Sequence, residues 1–373
     1  MEVVLESIFE LAYIMVNSMF LFLLTALIFY YKNRRVYEEA KMKLKGELDS
    51  PFELTLSQLG IGILAGFISI IILNLLNINF SEDSKIELIF ILSIALMVYK
   101  KRFICFSYSG MLLGILSLII GKYFGGTKFL NIAIIDIIIF VGVMHIIEAV
   151  LIILDGSRGA QPIFNTIDGE IYGGFKLSRY WLSPILGLFG IIGYSSSTYT
   201  YNKKKKSLES GILVASYGTI IILLAFLFKE KGVLEIFLLI LMPILHEFML
   251  SLQLDFEKKR EKIFISNEGI CVLDVSNKGK AKEIGIESGD IIYKVNDKIP
   301  SSEHNFYHLI NNYYGRVEVE IKKNDGKIRK YQLKLRHEDK LGLILVPTKE
   351  DFEINLKKEQ KSFNEILNMT IKK

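Results

Sequence analysis

Long apolar runs separated by short polar segments fill the first two thirds of the chain. A helix needs roughly 20 apolar residues to cross the hydrocarbon core of a bilayer, and most of these runs are close to that length. Seven runs predict membrane-spanning helices, at residues 8–31, 58–76, 86–99, 103–120, 130–154, 210–228 and 232–252. An eighth run, 181–201, contains a proline and three glycines. Because broken helix is tolerated at membrane depth where protein buries it, this run is interpreted as an eighth crossing or as a re-entrant segment.

The second run and the polar stretch after the fifth carry local signals of their own. Gly60, Gly62 and Gly66 in the second run are small residues at a spacing that lets a neighbouring helix approach closely in lipid. In the polar stretch, residues 155–180, apolar residues flank Asp168-Gly169 on both sides, which predicts a small β-hairpin. The Tyr180-Trp181 pair that follows is expected at the membrane–water interface.

Shorter alternating patterns replace the long runs near the C-terminus. Four segments predict strands, Gly269–Val275, Ile291–Asn296, Val317–Lys322 and Arg329–Leu335. A helix is predicted to begin at Ser302, and the last two strands form a hairpin across the turn 324–326. This pattern indicates a small α+β domain.

Composition agrees with this division of the chain. Of its 373 residues, 51% are hydrophobic, and the mean hydropathy is +0.37, above the range of most soluble proteins. The predicted fold is an α-helical polytopic membrane domain of seven or eight helices, residues 1–255, with the hairpin-like polar loop 155–180. The α+β domain, 256–347, and a charged tail, 348–373, follow.

Basic clusters predict the orientation in the membrane. They lie at 32–45, 100–102 and 203–206 and are expected on the cytoplasmic side, where lysine and arginine are in excess. The first two clusters place the N-terminus outside, and the third agrees if 181–201 does not cross. The C-terminal domain is expected in the cytoplasm in either case. Since the clusters flank spans, topology and anionic lipid explain them better than nucleic acid does.

Ionisable residues inside predicted spans are the candidates for chemistry, because burying them in a membrane is costly. They are His145, Glu148, His246 and Glu247. An intramembrane zinc protease needs a second histidine four residues after the first, but Leu250 and Ala149 hold those positions. The two cysteines, Cys105 and Cys271, have no metal-site or disulfide spacing and are interpreted as small buried hydrophobes.

No catalytic residue, metal site or cofactor is therefore predicted. The histidines and glutamates are interpreted as pairs within the helix bundle, His145 with Glu148 and His246 with Glu247. A proton or ion path that includes Asp136 is the alternative.

The C-terminal domain resembles a PDZ domain of the permuted bacterial type. The resemblance rests on Ala281, Gly285, the Gly289-Asp290 pair and Val295-Asn296, which stand in the order of that family. Residues 340–346, with Gly342 between two leucines, look like the carboxylate-binding loop and the strand to which a peptide is added. Such a glycine lets backbone N–H groups turn toward a chain-terminal carboxylate, and the strand edge can pair with an extended peptide.

The resemblance implies a peptide-binding groove between this last strand and the helix 302–313. Its expected residues are Leu341, Gly342, Leu343, Ile344, Leu345, Tyr307 and Ile310, with Arg336 or Lys340 neutralising the peptide carboxylate. On the helix, Glu303 is also expected to face the groove, whereas Phe306 and Leu309 are expected in the core.

A wider resemblance covers nearly the whole chain. Its motifs are Glu148-Ala149, the segment 156–162, Gly173-Gly174-Phe175 with Leu177 and Trp181, the lysines 203–206, and Pro243 with His246-Glu247. Together with a C-terminal PDZ domain, they are similar to the MinJ family.

The family implies a membrane scaffold of cell division that is not an enzyme. It implies a multi-pass protein enriched at septum and poles, with a DivIVA-like coiled coil and a MinD-like ATPase as partners. An intramembrane protease-like regulator, or an envelope or transport protein with a PDZ sensor, is the alternative.

Overall fold

Helices make up the N-terminal two thirds of the protein, interrupted by one three-stranded sheet. The computed structural model describes residues 2–43, 49–78, 80–81, 84–123, 129–277, 279–311, 315–336 and 339–351. The helices are α1 (Glu2–Asn17), α2 (Met19–Lys43), α3 (Pro51–Leu75), α4 (Leu88–Tyr99), α5 (Phe106–Tyr123), α6 (Ile134–Asp155), α7 (Lys203–Phe228) and α8 (Val233–Lys259). A short 3-10 helix, Lys101–Ile104, precedes α5, and α6 lies at the centre of the bundle with most of its residues buried.

The helical membrane domain is confirmed, but with fewer spans than predicted. Within the described residues, α3, α5, α6, α7 and α8 are long and apolar enough to cross a membrane. The predicted first span is two helices, α1 and α2, which bend by 74° at their junction and make a sixth span only as one broken helix. The predicted span 86–99 is α4, whose 12 residues extend only about 18 Å, short of the ~30 Å hydrocarbon core.

The interrupted run 181–201 is neither a crossing helix nor a re-entrant one. It forms the end of strand β2 (Glu170–Ile185) and strand β3 (Leu188–Thr198), which turn at Leu186-Gly187. Both turn residues have positive φ, 52° and 77°. Glycine, serine and aromatic residues give this run weak helix propensity, and hydropathy alone does not separate a buried strand from a helix. The prediction of a span there was wrong.

The polar stretch before this run contains the expected hairpin. Strand β1 (Gln161–Ile167) pairs antiparallel with β2, and Asp168-Gly169 is the turn. β2 then continues past residue 180 and also pairs with β3, so the hairpin supplies two strands of a three-stranded sheet, β1-β2-β3. Trp181 is fully buried in this sheet, so its ring contacts protein rather than lipid or water.

The sheet packs directly on α3. A Cβ atom added at Gly62 would lie 2.3 Å from the carbonyl oxygen of Leu182, and one added at Gly66 would lie 2.6 Å from that of Pro184. The Ser183 hydroxyl donates a hydrogen bond to the Gly62 carbonyl at 2.8 Å. The glycine spacing therefore marks a close approach, as predicted, but the approaching backbone is a strand rather than a helix.

A buried ion pair fastens the sheet to α3 and α6. The Arg179 guanidinium pairs with the Asp155 carboxylate, and both side chains are 2% exposed. The same carboxylate accepts hydrogen bonds from Trp181 Nε1 at 2.8 Å and from the Ser57 hydroxyl at 2.7 Å. The buried guanidinium and the buried carboxylate thus both have partners, which a buried charge requires.

A second sheet forms the C-terminal domain. Its elements are β4 (Ile270–Val275), α9 (Lys280–Glu283), β5 (Ile291–Val295), α10 (Glu303–Asn311), β6 (Gly315–Lys322), β7 (Ile328–Leu335) and β8 (Leu343–Leu345). The strand order is β7-β6-β5-β4-β8, and the pairs are antiparallel. The predicted β-containing domain is confirmed. Its start differs from residue 256, because α8 continues to Lys259.

The two sheets meet in one continuous apolar core. Phe264, Leu273 and Val346 of the C-terminal domain cluster with Phe175 and other residues of the membrane domain. At the centre of this seam, the Gly173 N–H donates to the Phe264 carbonyl at 2.8 Å.

The seam also has ionic contacts and changes the boundary of the tail. Lys203 pairs with Asp274 at 2.5 Å, and Lys349 with Glu170 at 2.7 Å. Lys349 belongs to the predicted tail 348–373, so the first four tail residues are part of the folded domain. Residues 352–373 lie outside the described residues.

Candidate functional site

The predicted peptide groove corresponds to the edge formed by β8 and α10. β8 is the terminal strand in the order of its sheet, with β4 on one side. On the other side, the Tyr307 hydroxyl of α10 donates to the carbonyl oxygen of Leu343 at 3.4 Å. The predicted strand and helix are thus neighbours in the structure.

The backbone of β8 presents alternate groups to this edge. The Ser276 N–H donates to the Gly342 carbonyl at 2.7 Å, and the Val346 N–H donates to the Cys271 carbonyl at 2.8 Å, so both groups face β4 or its turn. Since backbone polar groups alternate along a strand, those of Leu343 and Leu345 face the α10 side. This is the edge that an added strand would use.

The loop before β8 has the conformation that its glycine indicated. Gly342 has φ +69°, a region that favours glycine. The carbonyl oxygen of Leu341 accepts from Ala281 N–H at 3.1 Å, and that of Lys340 accepts from Lys280 N–H at the same distance. These bonds fix the loop on the start of α9.

The apolar residues predicted for the groove are largely part of the core. Leu341, Leu343, Leu345 and Ile310 are buried, and Ile310 clusters with Phe306 and Leu309 rather than on a separate face. Ile344 lies in the seam with the membrane domain.

Polar residues of the predicted groove lie at its border. Tyr307 is half-buried. Its burial, and to a smaller extent the nearby Glu303 carboxylate, raise the pKa of its hydroxyl, so the hydroxyl keeps its proton and can donate a hydrogen bond at neutral pH. Arg336 and Lys340 are exposed beside the loop. Arg336 also anchors the turn, since its backbone N–H donates to Asp339 at 2.9 Å.

The other end of the groove opens into a cleft. The Asp351 carboxylate caps α10 by accepting from Glu303 N–H at 2.8 Å, and it also accepts from the Thr348 hydroxyl at 3.0 Å. Next to this cap lies a cleft of about 670 Å³ between the two sheets, lined by residues 170–172, 265–269, 299–301 and 347–350.

A second constellation lies within the helix bundle and was not predicted. Cys105 at the start of α5, His145 of α6 and His246 of α8 each offer one metal-binding atom, and these atoms lie within 4.8 Å of one another. Cys105 Sγ is 3.1 Å from His145 Nε2. The three residues are far apart in sequence and follow no motif. The signal in the sequence was the coincidence of a cysteine and two histidines in apolar runs.

Glu247, next to His246, has other partners than the predicted one. Glu247 accepts from the Tyr108 hydroxyl at 2.5 Å and pairs with Arg102 at 3.1 Å. His145 hydrogen-bonds to the backbone of α6 through Nδ1, at 2.7 Å from the Val141 oxygen.

Comparison of the chain with protein-family models, curated proteins and solved structures gave no match.

Proposed function

We propose that this protein is a membrane-embedded adaptor whose C-terminal, PDZ-like domain binds the C-terminal peptide of another protein. The observation that carries the proposal is the position of β8 at the edge of its sheet, beside α10 and directly after the Gly342 loop. An extended peptide added there pairs with the outward backbone groups of Leu343 and Leu345. It displaces the Tyr307 hydroxyl from the Leu343 carbonyl.

The ends of the peptide have distinct surroundings in this proposal. Its carboxylate lies at the loop Leu341-Gly342, with Arg336 and Lys340 supplying positive charge. The apolar side chains on either side of Gly342, those of Leu341 and Leu343, select an apolar last residue. The upstream residues leave toward the cleft next to Asp351.

The resemblance to the MinJ family supports a role in placing the division site. In that role, the partners are a DivIVA-like coiled coil and a MinD-like ATPase, and the protein is enriched at septum and poles with its C-terminal domain in the cytoplasm. The test is the localisation of a C-terminal fluorescent fusion, with cell length and minicells scored after deletion. Septal and polar foci with filaments or minicells are expected. A uniform membrane signal with normal division would overturn the division role.

Peptide binding has its own prediction. Lys340→Glu in the full chain is expected to weaken binding of peptides with an apolar last residue and free carboxylate by roughly tenfold, because a charge-assisted contact is lost. Fluorescence anisotropy in detergent measures the affinity. For the same peptides as C-terminal amides, Lys340→Glu should cause no such loss of affinity.

Loop geometry can be tested with a matched pair of variants. Gly342→Ala should abolish binding, because an added Cβ lies 2.7 Å from Gly279 Cα and φ is +69°. Gly326→Ala has equal strain, φ +78°, but nothing within 4 Å, and it lies in the turn between β6 and β7. Equal effects of the two substitutions would contradict the assigned groove.

A further inference from the structure

We propose that Cys105, His145 and His246 bind one zinc ion between α5, α6 and α8. This site is independent of the proposed peptide groove. Cys105 immediately precedes α5, and the two histidines come from α6 and α8. The three side chains converge in the buried part of the bundle, where both histidines are less than 10% exposed. One thiolate and two imidazoles are ligands that zinc prefers.

His145 is held in the form that binds a metal. Its Nδ1 lies 2.7 Å from the Val141 carbonyl oxygen, which can only accept, so Nδ1 carries the proton. Nε2 therefore presents a lone pair, and it points toward Cys105 Sγ at 3.1 Å. A metal-bound histidine typically has this arrangement, with its second nitrogen donating to a carbonyl or carboxylate.

His246 is oriented in the same sense by a chain of polar groups. The Tyr108 hydroxyl donates its proton to Glu247 at 2.5 Å, so its oxygen is left to accept from His246 Nδ1 at 3.3 Å. Arg102 in turn pairs with Glu247 at 3.1 Å. This assigns the proton to Nδ1 of His246 as well and leaves Nε2 as the ligand atom.

The spacing of the ligand atoms fits one ion. With bonds of about 2.0–2.1 Å to nitrogen and about 2.3 Å to sulfur, neighbouring ligands of tetrahedral zinc are roughly 3.3–3.8 Å apart. The three atoms lie within 4.8 Å of one another, so shifts of about 1 Å or less close the site.

Charge balance also favours an ion here. Binding replaces the thiol proton of Cys105 by a zinc–sulfur bond, and the proton leaves to solvent. Glu148, one helical turn after His145, lies within electrostatic range of all three ligands. Zinc with one thiolate and one carboxylate is neutral overall, which suits a site of low dielectric. Glu148 is therefore the counter-charge of the site and lies outside the group of three ligands.

The test is the zinc content of the full-length protein purified in detergent. Inductively coupled plasma mass spectrometry should find one zinc per chain. Cys105→Ser, His145→Ala and His246→Ala should each lower it to background. The matched controls, Cys271→Ser and His308→Ala, should keep one zinc per chain. Burial raises the pKa of the Cys271 thiol to about 12, so it is not a competing ligand at neutral pH.

A second measurement separates metal binding from a purely structural role. Wild-type protein stripped with a chelator and loaded with cobalt(II) should show thiolate-to-cobalt absorption that Cys105→Ser lacks and Cys271→Ser retains. Tyr108→Phe, which removes the partner of His246, should weaken zinc binding about 10- to 100-fold in chelator competition.

Three results would overturn the assignment. One is a wild-type zinc content that equals that of Cys105→Ser. Another is the absence of cobalt–thiolate absorption in the loaded wild-type protein, a result that stands even where a variant fails to fold. The third is copper or iron in place of zinc, since one cysteine with two histidines also suits copper.

Discussion

Replacing Asp155 by alanine is expected to lower the free energy of unfolding by about 3–5 kcal/mol. The substitution leaves the Arg179 guanidinium, 2% exposed, as a buried charge without its partner. It also removes the acceptor of Trp181 Nε1 and of the Ser57 hydroxyl. Because the carboxylate joins α6, α3 and β2, its loss weakens the attachment of the sheet to the helices.

Denaturant unfolding in mixed micelles measures this change, with the fluorescence of Trp181, the single tryptophan of the chain, as the signal. The double variant Asp155→Leu with Arg179→Met should be more stable than Asp155→Ala, since it leaves no unpaired charge. Asp325→Ala is the control, because its partner Arg329 is exposed on the β6–β7 hairpin and such pairs contribute little. Equal losses for Asp155→Ala and Asp325→Ala would show that the buried pair is not formed.

Gly62→Ala is expected to lower the free energy of unfolding by about 3 kcal/mol, the upper end of typical overpacking costs. The new methyl group would lie 2.3 Å from the Leu182 carbonyl oxygen and 2.8 Å from its nitrogen. These are backbone atoms of β2, which cannot rotate away as a side chain would. The strand therefore has to separate from α3, and the Ser183 hydrogen bond to the Gly62 carbonyl is lost with it.

Gly60 offers a control two residues away in the same helix. An added Cβ there meets nothing within 4 Å. Gly60→Ala should be neutral or stabilising by up to about 1 kcal/mol, because alanine has the higher helix propensity. The same unfolding measurement applies. A loss for Gly60→Ala as large as that for Gly62→Ala would mean that propensity or insertion, rather than contact with β2, decides the result.

The helical part of the fold could be predicted because long apolar runs indicate helices that are buried in protein or span a membrane. The bend between α1 and α2 could not be predicted, since the hydropathy of a run does not show whether its helix is straight or bent. The run 181–201 was also mistaken for a membrane segment. That run is apolar because α3 and α6 enclose it, and a strand surrounded by protein has the same hydropathy as a helix surrounded by lipid.

The two candidate sites differ in how far the sequence could lead. The Gly342 loop and its strand are contiguous, so local residue types were enough to predict their position. Ile310, predicted to face the groove, clusters with Phe306 and Leu309 in the core of the domain. Cys105, His145 and His246 meet only when three helices pack, and no spacing along the chain encodes that contact. The histidines were therefore assigned to the glutamates next to them in sequence.

The seam at Gly173 bears on how the groove should be studied. One face of the C-terminal sheet, with Leu273, Ile344 and Val346, is covered by the membrane domain in the intact protein. In a fragment that begins after α8, this face would be exposed to water as an apolar surface close to the groove, and it would bind other proteins non-specifically. Binding partners captured by such a fragment would report on both surfaces. Screens with the whole chain in nanodiscs sample only the surface that a cell presents.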